Sequence, residues 1–234
     1  GLSLSGCPLD CSETITDPAT QGEIHRMSTT EPQRQALVAL LLKFAHLFAS
    51  SDATLQPVTS VECQIQTDPE QKPVSSAPYP LSPDTRKFVR EQLITLLRLK
   101  LIQRSTSPWA SPVVVARKKD SETGEWSKLR FCVNYIKVNN VTKRDRYPLQ
   151  RIDPLLESAA GRCFSQLDAA SGFWQINMHP DSVEKTAFIT PDGLYEWLRM
   201  PFGLANAPSV YQAMMDEAFR DLLGSCLKIY VDDL

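Results

Sequence analysis

Two adjacent carboxylates, Asp232 and Asp233, follow an apolar run of β-prone residues at 226–231. A strand that ends in two aspartates can present hard oxygen ligands to Mg²⁺ at a site that a phosphate also reaches. Adjacent acidic residues on soluble proteins are more often solvated turn residues. The pair therefore indicates a metal site only if other parts of the chain require one.

A third carboxylate, Asp168, also follows a predicted strand, at residues 163–167. Because it is far from Asp232 in the chain, only a folded sheet could bring these side chains together. The small residues at 169–172 would let the backbone approach a ligand closely, and Phe173 comes next. These aspartates are the candidate metal ligands.

Basic residues are concentrated in the middle of the chain. The 234 residues have a formal net charge of −2, but residues 86–151 carry 16 Lys and Arg against 5 Asp and Glu. Residues 1–85 and 152–234 carry 10 and 12 Asp and Glu against 4 and 5 Lys and Arg. A solvated basic face is the ordinary interpretation, but this segregation favours phosphates on one side and metals on the other.

Length and composition indicate a globular protein with one domain and an extension, or two small domains. No apolar stretch has membrane-spanning length and no signal segment is evident, so an intracellular, soluble protein is expected. Of the six cysteines, only Cys7 and Cys11 are close in sequence. Free thiols are expected rather than disulfides or a zinc site.

The N-terminal part is predicted to contain one helix after an irregular lead-in at residues 1–29. Thr30 and Gln33 have the capping-box spacing, with a proline in the first turn. The helix has an apolar stripe that must pack against another surface. Its members are Leu37, Leu40, Leu41, Phe44, Leu47 and Phe48.

A proline-rich connector and a second helix follow. Residues 50–81 hold five prolines and predict an extended segment, with a short strand near 61–65. Ser82 is predicted to cap a helix that runs to about Lys100. Its inward face consists of Val89, Leu93, Leu96 and Leu97.

A basic hairpin is predicted next, with arms at 113–115 and 128–133 and a polar tip at 120–127. Both arms carry cations near the tip. Such a hairpin can fold over a triphosphate, with Lys118 as a point charge and Arg130 as a bidentate donor.

The C-terminal part alternates between helices and strands. The Asp-Pro start and Gly end of one segment, and the Pro-Asp-Gly turn of another, mark the boundaries. The first predicted elements are a helix at 153–161 and two strands, at 185–189 and 195–198, joined by a turn at 191–193. A helix from 206–208 to Gly224 and a final strand at 226–231 follow. The apolar stripe of that helix consists of Val210, Tyr211, Met214, Met215, Ala218, Phe219 and Leu222.

Taken together, the sequence resembles the reverse transcriptase of gypsy-type long-terminal-repeat retrotransposons. The match covers residues 73–234, and its blocks recur in the family's order and spacing. Residues 1–60 resemble only the linker that follows the protease in such polyproteins. The blocks are SPWASPVV, FSQLDAASGFWQI, KTAF, MPFGLANAP and YVDDL.

The resemblance implies an α+β fold, the right-hand polymerase fold with fingers and palm only and an antiparallel palm sheet backed by helices. The domains expected from it are a lead-in and docking helix at 1–60 and a fingers/palm domain at 61–234. The family's second catalytic strand, thumb, ribonuclease H and integrase lie beyond Leu234, so the chain is expected to be a fragment of a polyprotein.

The resemblance also implies roles for individual residues. Asp168, Asp232 and Asp233 are the catalytic, metal-binding positions, and Ala169 offers a backbone carbonyl to a metal. The cofactor implied is two Mg²⁺ ions, with Mn²⁺ as a substitute. The implied nucleotide-binding residues are Lys118, Arg130, Phe173, Phe202 and Gly203, and the implied primer and template contacts are Tyr230, Val231 and Lys185.

The implied function is RNA-directed DNA polymerisation, the addition of deoxynucleotides to a primer 3′-hydroxyl. The implied partners are an RNA template, a DNA primer and product, deoxynucleoside triphosphates, and the protease, ribonuclease H and integrase of the polyprotein. Cytoplasmic virus-like particles and the nucleus are the implied locations. A two-metal nuclease would also use clustered carboxylates, but it would give no reason for the Phe173 block or the basic hairpin.

Three positions depart from the family pattern. Asn134 and Ile136 stand where an aspartate and an arginine are usual, and Leu101 replaces a usual glycine. Because none of these is a metal ligand, reduced rather than abolished function is expected. The same departures suit a non-catalytic, domesticated or decayed nucleic-acid-binding protein, which is the alternative interpretation.

Overall fold

The computed structural model of the chain describes residues 2–3, 14–16, 23–25, 31–48, 56–119, 126–149, 154 and 165–234. The chain forms two compact units, each built from separate stretches of sequence. Unit 1 comprises Gly1–Leu55, Pro148–Gly172 and Gln212–Leu234, and unit 2 comprises Gln56–Tyr147 and Phe173–Tyr211. The boundary near residue 60 remains a sequence-based prediction.

The described chain contains both helices and strands, and the neighbours in its main sheet are mostly antiparallel, as in an α+β protein. The helices are α1 (Glu31–Lys43), α2 (Pro83–Arg98), α3 (Ile136–Val141), α4 (Pro180–Val183) and α5 (Ala207–Ala218). The strands are β1 (Leu2–Ser3), β2 (Thr14–Thr16), β3 (Glu23–His25), β4 (Val58–Cys63), β5 (Ile102–Arg104), β6 (Ser111–Lys119), β7 (Trp126–Val133), β8 (Gln166–Leu167), β9 (Ile176–Met178), β10 (Phe188–Thr190) and β11 (Gly193–Trp197). Short 3₁₀ helices occupy Ala45–Leu47, Gly172–Gln175 and Glu184–Thr186.

Unit 2 is organised around a five-stranded sheet with the order β5, β11, β10, β6, β7. Its neighbouring strands are antiparallel, except that β6 and β10 are parallel. Phe188, Tyr195 and Trp197 are buried on this sheet, and the rings of Phe188 and Tyr195 stack with centroids 5.9 Å apart. The predicted α+β class is confirmed.

Strands β6 and β7 form the predicted basic hairpin. They pair antiparallel from Val113 opposite Val133 to Lys119 opposite Trp126. Val113 is buried, as expected for one face of a strand with alternating side chains. The tip at residues 120–125 lies outside the described residues.

Helix α2 begins where the sequence predicts. The Thr85 backbone N–H donates to Ser82 Oγ at 3.3 Å, and Pro83 occupies the first turn. Both features stabilise a helix N-terminus. The predicted face is buried at Val89, Leu93 and Leu96. Leu97 is 36% exposed, so the prediction is wrong at this residue. The reason is that a helical stripe read from sequence does not show where the covering surface stops.

Two backbone hydrogen bonds close the C-terminus of α2. Lys100 N–H donates to the Leu97 carbonyl and Leu101 N–H to the Leu96 carbonyl, each at 3.0 Å, which is the pattern of a Schellman motif. Lys100 has a φ of 56°, a left-handed conformation that favours glycine. From the resemblance, a glycine is expected at position 101, where this chain has Leu101. The backbone conformation instead favours a glycine at position 100, and Leu101 is buried.

The hairpin of β10 and β11 contains the predicted turn at 191–193. Gly193 has a φ of 140°, which suits glycine. The first strand begins later than predicted, because Lys185 and Thr186 lie in a 3₁₀ helix. There Thr186 Oγ1 donates to the Val183 carbonyl at 2.6 Å and accepts from Trp197 N–H at 2.8 Å.

Helix α1 does not bury the apolar stripe predicted for it. Leu37 and Leu41 are half-buried, whereas Leu40 is 52% and Leu47 69% exposed. An apolar stripe follows from local spacing, but its burial requires a partner surface. Thr30, the predicted cap, lies outside the described residues.

No described helix is long and apolar enough to cross a bilayer.

Three short strands occupy parts of the lead-in that the sequence predicted to be irregular. β1 pairs with β8, and β2 pairs with β3, both antiparallel. Such strands are too short for periodicity to identify them. The strand predicted near 61–65 is β4, which pairs parallel with β9. The helix predicted at 153–161 lies outside the described residues, except residue 154, which is helical.

Helix α5 begins as predicted but ends at Ala218, well before Gly224. Tyr211, Met214 and Met215 are buried, in agreement with the predicted stripe. Residues 219–226 continue as turns and one isolated bridge. Leu222 is consequently 46% exposed, which corrects the prediction for that residue.

Candidate active site

The aspartate pair lies in a tight turn of unit 1 rather than at the end of a strand. Tyr230 N–H donates to the Asp233 carbonyl at 2.9 Å, and Asp233 N–H donates to the Tyr230 carbonyl at 3.0 Å. Residues 226–231 form turns and isolated bridges, so the strand predicted there is wrong. The physical reason is that apolar β-prone residues form a strand only where a neighbouring strand accepts their backbone hydrogen bonds.

This turn is attached to β8, which brings Asp168 beside it. Asp168 and Asp233 are antiparallel bridge partners. Leu167 and Leu234 exchange two backbone hydrogen bonds of 2.9 Å, and Ala169 N–H donates to the Asp232 carbonyl at 2.9 Å. The structure therefore places the backbones of all three aspartates next to one another.

The electrostatics of the turn are dominated by negative charge. Burial raises the pKa of the Asp232 carboxyl above its ordinary value, and the charges of Asp168 and Asp233 raise it further. Asp232 Oδ1 is buried and makes no hydrogen bond within the part of the chain that the structure describes. Asp233 Oδ1 accepts a hydrogen bond from Gln166 Nε2 at 3.1 Å. A buried carboxylate oxygen without a donor favours a cation as its partner.

The side chains of the three aspartates do not converge on one point. Among the described residues, no group of three or more His, Cys, Asp or Glu side chains is arranged to hold a metal ion. The charges of Asp168 and Asp233 nevertheless act on the pKa of Asp232, which is consistent with both carboxylates lying near it. The backbone thus places the three aspartates close together, and rotation of their side chains would be required to bring the carboxylate oxygens to one point.

Unit 2 contains a cavity of about 510 Å³ lined by three of the predicted nucleotide-binding residues, Arg130, Phe202 and Gly203. Its wall also includes Trp174 and Cys132, to which the sequence analysis gave no role. Among the described residues of its wall, most are apolar and Arg130 is the one cation, a composition that suits a ligand with an apolar ring and an anionic group. Arg130 and Cys132 are two residues apart along β7, and this spacing places both side chains on the same face of the strand.

Phe173 lies beneath the ring of Phe202. Their centroids are 5.0 Å apart, and Phe173 also contacts the ring of Tyr211 at 5.4 Å. Phe173 is 7% exposed while Phe202 is 50% exposed, so Phe202 presents the accessible aromatic surface. Gly203 has a φ of 91°, and its carbonyl accepts from Asn139 Nδ2 at 2.9 Å. A glycine is favoured here by backbone conformation rather than by lack of space.

The two predicted lysines occupy different settings. The backbone of Lys118 pairs with Lys128 in the hairpin, and its side chain lies outside the described residues. Lys185 Nζ donates to the Ile65 carbonyl at 2.8 Å, while Ile65 N–H donates to Ser182 Oγ at 2.9 Å. Lys185 therefore helps hold the segment after β4, a contact that the sequence did not indicate.

The departures at 134 and 136 have a local structural consequence. Asn134 Oδ1 accepts from Ile136 N–H at 3.1 Å, at the start of α3. Asn134 lies just before Tyr135, the N-cap residue of α3, and an asparagine or an aspartate oxygen can accept this local hydrogen bond equally well, apart from the charge. Ile136 is 64% exposed, so an apolar side chain faces solvent where the family usually has an arginine.

Gln212 is a site residue that sequence reasoning missed. Its Oε1 accepts a hydrogen bond from Val231 N–H at 2.8 Å, next to the aspartate pair. The sequence contains one signal for it, an amide that stands among the apolar residues of α5. In the structure Gln212 is 2% exposed. A polar residue within a buried stripe indicates a specific hydrogen-bond partner, although it does not identify that partner.

Comparisons with known proteins agree with this arrangement. A profile described as "Reverse transcriptase (RNA-dependent DNA polymerase)" matches residues 116–234. The chain is 36% identical over 202 residues to the retrovirus-related Pol polyprotein from transposon opus of Drosophila melanogaster, a match covering 86% of this chain and 20% of that protein. The equivalent polyprotein from transposon gypsy of Drosophila melanogaster is 34% identical over 188 residues, covering 80% and 18%.

A solved structure supports the fold assignment. The foamy viral protease-reverse transcriptase in complex with RNA/DNA hybrid superimposes with a TM-score of 0.77 at 19% identity, covering 97% of this chain and 30% of that one. The chain spans about a fifth of the length of the two polyprotein relatives.

The chain belongs to the reverse transcriptase family, the RNA-directed DNA polymerases, and the predicted resemblance to gypsy-type retrotransposon polyproteins is confirmed. The fingers and palm of the right-hand polymerase fold are likewise confirmed.

Proposed function

We propose that this chain supplies the fingers and palm of an enzyme that extends a primer 3′-hydroxyl with deoxynucleotides on an RNA template, using two divalent metal ions. The observation that carries the proposal is the juxtaposition of the backbones of Asp168, Asp232 and Asp233, with Asp232 Oδ1 buried and without a hydrogen-bond partner among the described residues. Three neighbouring carboxylates repel one another and so disfavour folding, whereas a bound cation would offset this repulsion.

The donor set fits Mg²⁺, with Mn²⁺ as a substitute. Asp168, Asp232 and Asp233 would hold the ions, and the Ala169 carbonyl is the proposed backbone ligand, since hard cations prefer oxygen. Two bound ions would supply activation of the primer hydroxyl and stabilisation of charge on the phosphate. The backbone bonds between Leu167 and Leu234 would keep the backbones of the three aspartates next to one another when a substrate binds.

The unit 2 cavity is the proposed nucleotide site. Arg130 would bind the triphosphate through its planar fork, with Lys118 as a second cation. Phe202 and Gly203 would contact the base and sugar. Phe173 is the residue proposed to exclude a 2′-hydroxyl and so select deoxynucleotides; because it is buried against Phe202, this role requires Phe202 to move aside when a nucleotide binds.

Primer and template are the proposed macromolecular partners. Tyr230 is 39% exposed beside the aspartates and is proposed to contact the primer end with Val231. Lys185 donates one N–H of its ammonium group to the Ile65 carbonyl. Its other N–H groups are proposed to contact the template strand. Because the polyprotein relatives are far longer than this chain, protease, ribonuclease H and integrase segments are proposed as partners in the same polyprotein.

The decisive experiment is primer extension on an RNA template by the polyprotein that contains this chain. Asp232→Asn should abolish Mg²⁺-dependent extension, because it removes a charged ligand while keeping the side chain's shape. Asp221→Asn is the matched control, since Asp221 is an exposed carboxylate of unit 1, and it should leave extension intact. Undiminished extension by Asp232→Asn would refute the metal assignment.

A second candidate is a non-catalytic protein that binds nucleic acid and has kept the fold. It is favoured by Asn134 and by the exposed apolar Ile136 at positions where charged groups are usual. Duplex binding that weakens steeply with salt, together with no incorporation by the polyprotein in Mg²⁺ or Mn²⁺, would establish this candidate. Incorporation in either metal would exclude it.

A further inference from the structure

The side chain of Gln212 is a buried polar bridge between helix α5 and the turn that carries Asp232 and Asp233. It is 2% exposed. Its Oε1 accepts from Val231 N–H at 2.8 Å, and its Nε2 donates to Asp216 Oδ1 at 2.8 Å and to the Ile229 carbonyl at 3.5 Å. One amide therefore binds the chain on both sides of Tyr230.

Asp216 favours one orientation of the Gln212 amide, the same one that the Ile229 carbonyl favours. A carboxylate accepts hydrogen bonds and cannot donate them, so only Nε2 can face Asp216 Oδ1. The oxygen is consequently directed to Val231 N–H. Asp216 lies one helical turn after Gln212, which is the spacing that places two side chains on the same face.

The turn needs such a support because Val231 has an unfavourable backbone. Its φ is 53°, in the left-handed region that a β-branched residue rarely adopts. A strained residue persists only where the surrounding contacts determine its conformation. The bond from Val231 N–H to Gln212 is a buried contact of this kind, adjacent to the proposed metal ligand Asp232.

We propose that Gln212 is a positioning residue that holds Val231 in its left-handed conformation and thereby fixes the positions of Asp232 and Asp233, while the acceptors Asp216 Oδ1 and the Ile229 carbonyl both favour this orientation of its amide. This role rests on the proposed function for its catalytic consequence. Its structural part, the restraint of the turn, is independent of any metal or substrate.

Reversing the polarity of the pair separates positioning from simple packing. In Gln212→Glu, an oxygen replaces Nε2 and faces the Asp216 carboxylate, so the two groups repel and the side chain moves away from Val231 N–H. In the double variant Gln212→Glu/Asp216→Asn, the new amide can donate to the glutamate, which can again accept from Val231 N–H. Asp216→Asn alone retains an acceptor for Gln212 Nε2 and is the matched control.

The first measurement is hydrogen exchange of the Val231 amide in the metal-free chain, followed by NMR. Exchange should accelerate about tenfold in Gln212→Leu and Gln212→Glu, the factor expected for loss of one hydrogen bond. It should return towards the wild-type rate in the double variant and change little in Asp216→Asn. Unchanged exchange in folded Gln212→Leu would overturn the proposal, as would a double variant no slower than Gln212→Glu.

The second measurement is Mn²⁺ affinity of the chain, with extension kinetics of the polyprotein. Gln212→Leu should weaken Mn²⁺ binding about tenfold and lower kcat about 10- to 100-fold, the effect typical of residues that orient metal ligands. The KM for primer–template should stay constant. Wild-type Mn²⁺ affinity in Gln212→Leu would contradict the positioning of carboxylates. Wild-type affinity in Asp232→Asn would instead contradict the proposed function, and the exchange result would still stand.

Discussion

Arg90 donates two hydrogen bonds to the carboxylate of Asp192, of 2.9 Å from Nε and 2.8 Å from Nη2. Arg86 adds a third at 2.8 Å. These bonds join helix α2 to the turn between β10 and β11 within unit 2. Asp192 is 19% exposed, whereas Arg86 and Arg90 are 43% and 56% exposed, so water screens the arginines more than the carboxylate.

Asp192→Asn should lower the Tm of the chain by about 1–4 °C, since a partly exposed ion pair contributes modestly and unfolding shifts accordingly. The neutral amide offers one acceptor oxygen in place of two and removes the attraction. Thermal unfolding at low and high salt measures the effect, which should shrink at high salt. Asp181→Asn is the control, because that side chain is 82% exposed. An equal loss in both variants would contradict a specific role for Asp192.

The same contact predicts a pH dependence. Hydrogen bonds from Arg90 and Arg86 hold the pKa of the Asp192 carboxyl well below its ordinary value. The stability that this carboxylate adds is therefore complete above its unfolded pKa of about 3.9 and is lost as the pH falls from there towards the folded pKa. The Tm difference between the wild type and Asp192→Asn should be constant at neutral pH and narrow below about pH 4. A difference that widened in acid would contradict this assignment.

Lys100→Gly should stabilise the chain by about 1 kcal/mol, because it removes the left-handed penalty of a residue with a side chain, less the entropy of glycine in the unfolded state. Urea unfolding measures the change. Leu101→Gly is the matched control at the position where the sequence suggested a glycine. It should destabilise the chain by about 2–5 kcal/mol, since Leu101 is buried. Stabilisation by Leu101→Gly would contradict the assignment of the C-cap to Lys100.

Local sequence signals predicted the elements whose stabilising partners are near in sequence. The start of α2 at Ser82, the hairpin of β6 and β7, and the turn at Gly193 depend on caps, alternation and backbone freedom. Elements that depend on distant partners were misjudged. The expected strand at 226–231 is a set of turns, and the stripe of α1 is largely exposed, because pairing and burial are settled by tertiary contacts.

The candidate site divides in the same way. Asp168 and the pair Asp232 and Asp233 were identified from residue type and sequence blocks, and the structure places their backbones next to one another. The bond from Val231 to Gln212 could not be predicted, because it links a helix to a turn through a buried amide. Trp174 and Cys132 were missed for the same reason, since a cavity is formed by residues that are distant in sequence.

The three described cysteines give a test of the proposed nucleotide cavity. Cys132 and Cys226 are exposed free thiols, whereas Cys63 is buried, and burial raises the pKa of Cys63 to about 12. Because the thiolate is the reactive form, Cys63 should resist alkylation at pH 8 while the other two react. Peptide mass spectrometry after brief iodoacetamide treatment measures each rate.

A bound nucleotide should then slow alkylation of Cys132 several-fold and leave Cys226 unchanged. Cys132 lines the same cavity as Arg130, so a triphosphate held there would cover the thiol. Arg130→Gln should abolish the protection by removing the bidentate cation, and Arg117→Gln is the matched control on the neighbouring strand β6, opposite Leu129. Equal rates for Cys132 with and without saturating deoxynucleoside triphosphate would exclude this cavity as the nucleotide site.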